Sequence, residues 1–313
     1  MANPGKITEI DVGSDGVFGK LYQPGDGEVH RGLLVVGGSG GGLGWSQDVA
    51  RRLAEENYAA LALAYFRYGP LPKTLAAIPL EYFEAAIDWM GRQRQIDTAR
   101  LAVIGGSRGA ELALILATVC PRVRAVVAYA PSCVSWGPLG GIGSFGKSAW
   151  TYRGQQMPYV RMGISPAILR EYVRMTVCAL LHRPYASTSL FLVALSNTAS
   201  VKKALIPVEK IRGPILLISG KEDRLWPASV MSRIIVEKLA AAGFAFPCKH
   251  LDYEGAGHAI GLPGLPLDAY PTQVTHSVTH RIYSLGGAPD KNAQAAELAW
   301  AEVISFLNEH IGP

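Results

Sequence analysis

Short, continuous apolar runs alternate along this chain with segments whose apolar residues recur at helical spacing. Residues 32–36, 59–65, 101–105, 124–129 and 214–219 form such runs of strand length, and 249–253 reads as a further, more polar strand. The unbroken run at 101–104 is what a strand covered on both faces looks like. Between them, residues 45–56, 80–94, 110–117 and 228–242 read as helices, and residues 292–310 close the chain as an amphipathic one. In the second of these helices Tyr82, Phe83, Ala86, Ile87 and Met90 fall on one face. Two further runs at the start, 7–12 and 17–22, flank Gly-Ser-Asp-Gly and predict a hairpin. Strands alternating with helices predict βαβ units, hence an α/β fold with a mostly parallel sheet and helices on both faces.

The rhythm breaks once. Residues 132–208 separate two strands and hold Gly-rich and aromatic stretches (Trp136-Gly-Pro-Leu-Gly-Gly, Trp150-Thr-Tyr-Arg) besides a helical segment at 166–182. So long an interruption reads as an insertion over one sheet edge, inside a single domain of residues 1–313. Ligands of such sheets bind beyond the carboxyl ends of the strands, which makes a lid-like role the expectation. The helical segment carries Ile168, Leu169, Tyr172, Val173, Val177 and Leu180, a stripe expected to pack onto the body. Trp136, Trp150, Tyr152 and Cys133, the last following a strand near the same edge, are candidate substrate contacts.

Composition changes this picture little. A chain of 313 residues, 49% hydrophobic and 18% charged, is ordinary for a globular protein. The opening MANPGKITEIDVG has no apolar signal core and no run reaches the length of a membrane span, so a cytoplasmic protein is expected. Cys120, Cys133, Cys178 and Cys248 lack metal-ligand spacing; reduced thiols are expected, with no metal and no cofactor. A net charge of +5 mildly favours anionic partners, yet no dense Lys/Arg tract or aromatic-basic interleaving points to nucleic acid.

The chemistry centres on Gly105-Gly-Ser107-Arg-Gly109, where an apolar run turns into a helix. G-x-S-x-G at that junction allows a sharp turn that exposes the serine oxygen. A serine hydroxyl is a weak nucleophile and needs a base, which in turn needs an orienting acid. Both follow strands in the order Ser, Asp, His: Asp223, preferred to Glu222, lies just past 214–219, and His258 lies in the Gly-rich loop past 249–253. The amide of Arg108 is one candidate donor to a developing oxyanion. The second should come from Gly37-Gly38-Ser39-Gly40-Gly41-Gly42, with Gly38 and Ser39 as candidates. No Gly-Lys-Ser/Thr follows those glycines, which argues against a phosphate loop.

"ALAYF", "LPKTLAAIPLEYFEAAIDWM", "VIGGSRGAELAL", "IPVEKIRGPILLISGKEDRLW", "YEGAGH" and "GGAPDKNAQAAELAWAEVISFL" resemble the catalytic domain shared by acyl-CoA thioesterases and bile-acid-CoA:amino-acid N-acyltransferases. The resemblance runs from about Gly32 to the end and implies a dienelactone-hydrolase-like α/β-hydrolase fold, with Ser107, Asp223 and His258 as triad. Eukaryotic members carry a further N-terminal β-sandwich domain; only about thirty residues precede the first core strand here, and no such domain is expected. The N-acyltransferases use cysteine as nucleophile. A thioester intermediate favours attack by amines more than an oxygen ester does, so Ser107 makes hydrolysis the first expectation. The expected function is cleavage of acyl thioesters, acyl-CoA above all. An ester or lactone hydrolase, an acyltransferase of specialised metabolism and an idle binding module are the alternatives.

Overall fold

The computed structural model describes residues 7–13, 15–140, 144 and 146–312. The main sheet takes β1 (Ile7–Val12), β2 (Gly19–Pro24), β3 (His30–Val36), β4 (Tyr58–Leu63), β6 (Ile96–Gly106), β7 (Val123–Tyr129), β10 (Ile215–Gly220) and β11 (Cys248–Tyr253). Their order across the sheet is β1-β2-β4-β3-β6-β7-β10-β11. β1 and β2 form the antiparallel hairpin, and β2 runs antiparallel to β4; every pairing from β4 to β11 is parallel. Two small sheets lie apart: β5 (Ile78–Pro79) with β8 (Trp150–Tyr152) and β9 (Gln155–Gln156), and β12 (Gln273–Thr275) with β13 (Ile282–Ser284).

The parallel strands inside the sheet are buried on both sides, while the edge strand β11 is only partly buried, so two cores form. One face of the sheet packs α2 (Glu81–Gly91), α3 (Arg108–Val119) and α7 (Ala228–Ala241), with Phe83, Leu112 and Met231 in its core. The other packs α1 (Gly44–Glu55) and α8 (Pro289–His310), with Leu53, Trp300 and Leu307. Burial of an aliphatic or aromatic side chain of this kind contributes about 1.5–3 kcal/mol.

β6 begins at Ile96, earlier than its apolar run indicates. Of the added residues Asp97-Thr-Ala-Arg100 three are polar, and Asp97 is held by an ion pair with Arg31 of β3.

The segment 132–208 contributes β8, β9, α4 (Pro166–Leu180), α5 (Thr188–Leu195) and α6 (Thr198–Ala204). Ser165 caps α4 by accepting the Ile168 amide, and Pro166 occupies its first turn. The expected packing of its apolar stripe is corrected here. Of the six stripe residues only Ile168 is buried; Leu169, Tyr172, Val173, Val177 and Leu180 are exposed. The side that faces the body is set by a carboxylate instead, Glu171, which is 1% exposed.

Candidate active site

Ser107 sits between the end of β6 and the start of α3 with φ 56° and ψ −117°, a conformation a non-glycine residue adopts only when its surroundings impose it. Its amide donates to Tyr129 O at 2.8 Å, which pins the turn to β7. Both glycines of the motif have a steric reason. A Cβ on Gly105 would strike the carbonyl of Gly109, and one on Gly109 would strike the carbonyls of Val36 and Gly37. The second contact presses α3 against the end of β3, and so brings the loop after β3 to the serine.

Asp223 and His258 meet across the loops that follow β10 and β11. His258 Nδ1 donates to Asp223 Oδ2 at 2.8 Å, and Asp223 Oδ1 accepts the amides of Leu225 (2.8 Å) and Trp226 (3.1 Å). The carboxylate is therefore oriented by the backbone before it orients the imidazole, and the proton on Nδ1 leaves Nε2 as the basic nitrogen. The His258 amide donates to Leu285 O (2.8 Å), and Trp226 packs edge-on against the imidazole at 6.0 Å. Among the described residues no hydrogen bond joins Ser107 to His258. Such bonds commonly tighten only when substrate is bound.

The glycine loop adjoins the serine. A Cβ on Gly38 would lie 3.2 Å from Ser107 Cβ and 3.8 Å from Ser107 Oγ. Neither the Gly38 nor the Ser39 amide donates to a backbone carbonyl among the described residues, and the Arg108 amide, first in α3, precedes the helical ladder. Tyr65 Oη holds the loop by donating to Gly37 O at 2.7 Å.

His276, which the sequence did not single out, clips the same loop. Its Nδ1 accepts the amides of Val278 (3.2 Å) and Thr279 (3.3 Å), so Nε2 carries the proton and donates to Ser39 Oγ at 2.9 Å. This arrangement requires a neutral ring. Burial, with help from Arg67 and His280, holds the imidazole below the ordinary histidine value. An unfolded chain then takes up the proton first as pH falls. The stability advantage of the parent chain over His276→Gln should be complete above about pH 6.5 and shrink as pH drops below it, as read from denaturant midpoints of the two proteins.

The Arg108 side chain turns inward beneath the elbow. Its Nη1 lies 2.9 Å from Glu111 Oε2, and Nη2 donates to the carbonyls of Trp136 (3.2 Å) and Gly137 (3.1 Å). Glu111 Oε1 accepts the Trp150 indole N–H (2.7 Å) and the Trp136 amide (3.2 Å). Burial pushes the Glu111 carboxyl up from its ordinary value, against the pull of Arg108 and these donors.

Of the expected substrate contacts, Trp150 is wholly buried, its ring among Tyr65 and Phe83. Trp136 meets Phe191 edge-on at 4.8 Å; Phe191 meets Trp226 at 6.0 Å, and Trp226 meets His258. Phe191 and Trp226 thus link the 132–208 segment to the imidazole. Tyr152 is half-buried with the Arg153 guanidinium 5.2 Å over its ring. Cys133 is 2% exposed, and burial pushes its thiol up to about 12. A neutral, enclosed thiol is inert. Iodoacetamide at neutral pH should therefore leave Cys133 unmodified in the folded chain and label it in denaturant, and Cys133→Ala should turn over substrate at near the parent rate.

A second Ser-His-Asp group differs in its protons. Ser219 Oγ donates to Asp252 Oδ1 (2.7 Å), so His250 Nε2 at 2.8 Å must donate to Ser219. With its one proton committed to a carboxylate and no exposed surface, Ser219 has no route to nucleophilicity.

Known proteins define the class first. The chain is similar to a dienelactone hydrolase-like promiscuous phosphotriesterase from metagenomic libraries (TM-score 0.55, 15% identity, 97% of this chain and 98% of that one) and to an esterase of Pyrococcus furiosus (TM-score 0.53, 15% identity, 98% and 91%). The architecture is the α/β-hydrolase fold. Residues 78–313 match the family described as BAAT / acyl-CoA thioester hydrolase C terminal, and the chain belongs to that family. It is 28% identical over 309 residues to the peroxisomal succinyl-coenzyme A thioesterase of Mus musculus, covering 98% of this chain and 66% of that protein. It is 26% identical over 309 residues to acyl-coenzyme A thioesterase 1 of Homo sapiens, covering 99% and 67%. The chain spans about two thirds or less of the length of the curated relatives it matches first.

Proposed function

We propose that this chain is a serine hydrolase of acyl thioesters, acyl-CoA being the leading substrate class, with Ser107 as nucleophile, His258 as general base and acid, and Asp223 as the orienting carboxylate. The observation that carries the reading is the pairing of a strained serine elbow with an imidazole whose Nδ1 is already committed to Asp223. The names of the relatives support thioesters over other acyl substrates.

In this mechanism Ser107 Oγ attacks the acyl carbon as His258 Nε2 takes its proton. The resulting oxyanion is met by the Arg108 amide and by that of Gly38 or Ser39, a type of contact worth about 2.7–4 kcal/mol per donor. Collapse breaks the carbon–sulfur bond, and the imidazolium returns its proton to the departing thiolate. Water, deprotonated by the same nitrogen, then attacks the acyl-enzyme; collapse breaks the bond from the acyl carbon to Ser107 Oγ, which takes back the proton from the imidazolium as the acid leaves. The 132–208 insertion covers the site. Support comes from Thr188 Oγ1 of α5, which donates to Asp223 O at 3.0 Å, and from Phe191, which packs on Trp226. Phe191, backed by the buried Trp136, is the side chain of this segment that faces the acyl side.

The test is a panel of acyl-CoAs and p-nitrophenyl esters on the parent chain and Ser107→Ala. Turnover of acyl-CoAs by the parent alone supports the reading. Turnover confined to simple esters assigns a carboxylic-ester hydrolase, and activity retained by Ser107→Ala removes the mechanism.

A further inference from the structure

Helix α4 hides a carboxylate and shows its apolar side to solvent. Inward, Ile168 and Glu171 are buried. The Glu171 carboxylate takes hydrogen bonds from Tyr185 Oη (2.9 Å), Ser189 Oγ (2.9 Å) and Arg174 Nη1 (2.7 Å), which fixes the helix against α5 and the segment before it. Outward, Leu169 (61% exposed), Val173 (55%), Val177 (46%) and Leu180 (73%) form one row, with Tyr172 beside it. At helical spacing Arg170 and Arg174 border that row. Residues 132–208 contain eight Lys/Arg and a single carboxylate, Glu171, against a net charge of +5 for the whole chain. Since Glu171 is buried, no acidic side chain of the insertion faces solvent beside these arginines.

We infer that this face of α4 docks on an anionic lipid surface, the helix lying in the plane of the interface. The aliphatic row enters the acyl boundary while Arg170 and Arg183, unlike Arg174, which is committed to Glu171, extend to lipid phosphates, the distribution that holds amphipathic helices at membranes. Charge decides against a second copy as occupant. A two-fold contact would oppose the arginines of one α4 to those of the other. A helix of 15 residues is also only about 22 Å long, too short to cover the ~800 Å² per partner of a standard interface. The inference stands on α4 alone and does not require Ser107 to be a nucleophile.

The experiment is co-sedimentation of the full chain with vesicles of phosphatidylcholine alone and of phosphatidylcholine mixed with phosphatidylserine. The chain should partition onto the mixed vesicles at low salt, less so at high salt, and not onto phosphatidylcholine. Arg170→Gln and Arg183→Gln should each weaken partitioning about fivefold, and Val173→Asp with Leu180→Asp should abolish it. Thermal melting of each variant checks folding, which these exposed positions do not support. Absence of partitioning at low salt, or its persistence in the Val173→Asp/Leu180→Asp variant, overturns the inference. So does a dimer in light scattering that this variant dissolves while the parent ignores the vesicles, which would make a second copy the occupant.

Discussion

Ser107→Ala and His258→Ala are each expected to lower kcat on a cleaved acyl thioester by as much as roughly a million-fold, and the double variant to be hardly worse. The non-additivity follows from the chemistry. A base without a nucleophile has nothing to deprotonate, and a hydroxyl without a base is a poor nucleophile at neutral pH. Asp223→Asn should cost less, about ten-thousand-fold, because the imidazole stays in place but loses the partner that fixes its tautomer. Asp223 Oδ1 also accepts the Leu225 and Trp226 amides. Asparagine can keep those bonds through its carbonyl oxygen only by turning its NH₂ toward His258 Nδ1, which selects the tautomer with Nε2 protonated. Steady-state kinetics on the three single variants and the double variant measure the pattern. Additive losses from Ser107→Ala and His258→Ala would separate the two residues and remove the triad.

Much of this site is legible in the chain because it hangs on elements that are themselves legible. Ser107 and Asp223 each follow a continuous apolar run, which is what strands buried on both faces look like. His258 instead follows the polar, partly buried edge strand Lys249-His-Leu-Asp-Tyr253 and is marked by its Gly-rich loop. The polar start of β6 escapes the same logic, since Asp97 is fixed by Arg31 from a neighbouring strand and not by burial. The α4 stripe misleads for a different reason. Amphipathic spacing shows that a helix has two faces, but not which one the body covers, and here three partners for Glu171 outweigh five aliphatic and aromatic side chains. His276 and Phe191 act through contacts distant in sequence, which spacing does not encode. The Arg108–Glu111 pair, i to i+3 on a helix, looks like a solvated surface pair until α3 is seen to be buried all round.

That burial sets the largest effect on stability. An exposed i,i+3 pair contributes a few tenths of a kcal/mol, whereas Glu111 is 0% and Arg108 4% exposed. Glu111→Ala leaves the guanidinium enclosed without a counter-charge. It also strips the Trp150 indole N–H of its acceptor and the Trp136 amide of its own. Removing one member of such a pair costs about 3–5 kcal/mol, and the orphaned N–H groups add to that cost. Glu111→Gln keeps an acceptor for Trp150 and gives up only the charge, so it should fall between. Arg108→Met combined with Glu111→Leu removes both charges and should recover most of the loss, because two buried ions separately desolvated are replaced by apolar volume. Activity should follow a different order. The oxyanion donor proposed at position 108 is its amide, which methionine retains, so the double variant should keep measurable turnover where Glu111→Ala disturbs the elbow. Denaturant midpoints and kcat measured on the three variants give both orders, and a Glu111→Ala chain less than about 1 kcal/mol below the parent would show that solvent reaches the pair and that Arg108 does not depend on Glu111 for its charge.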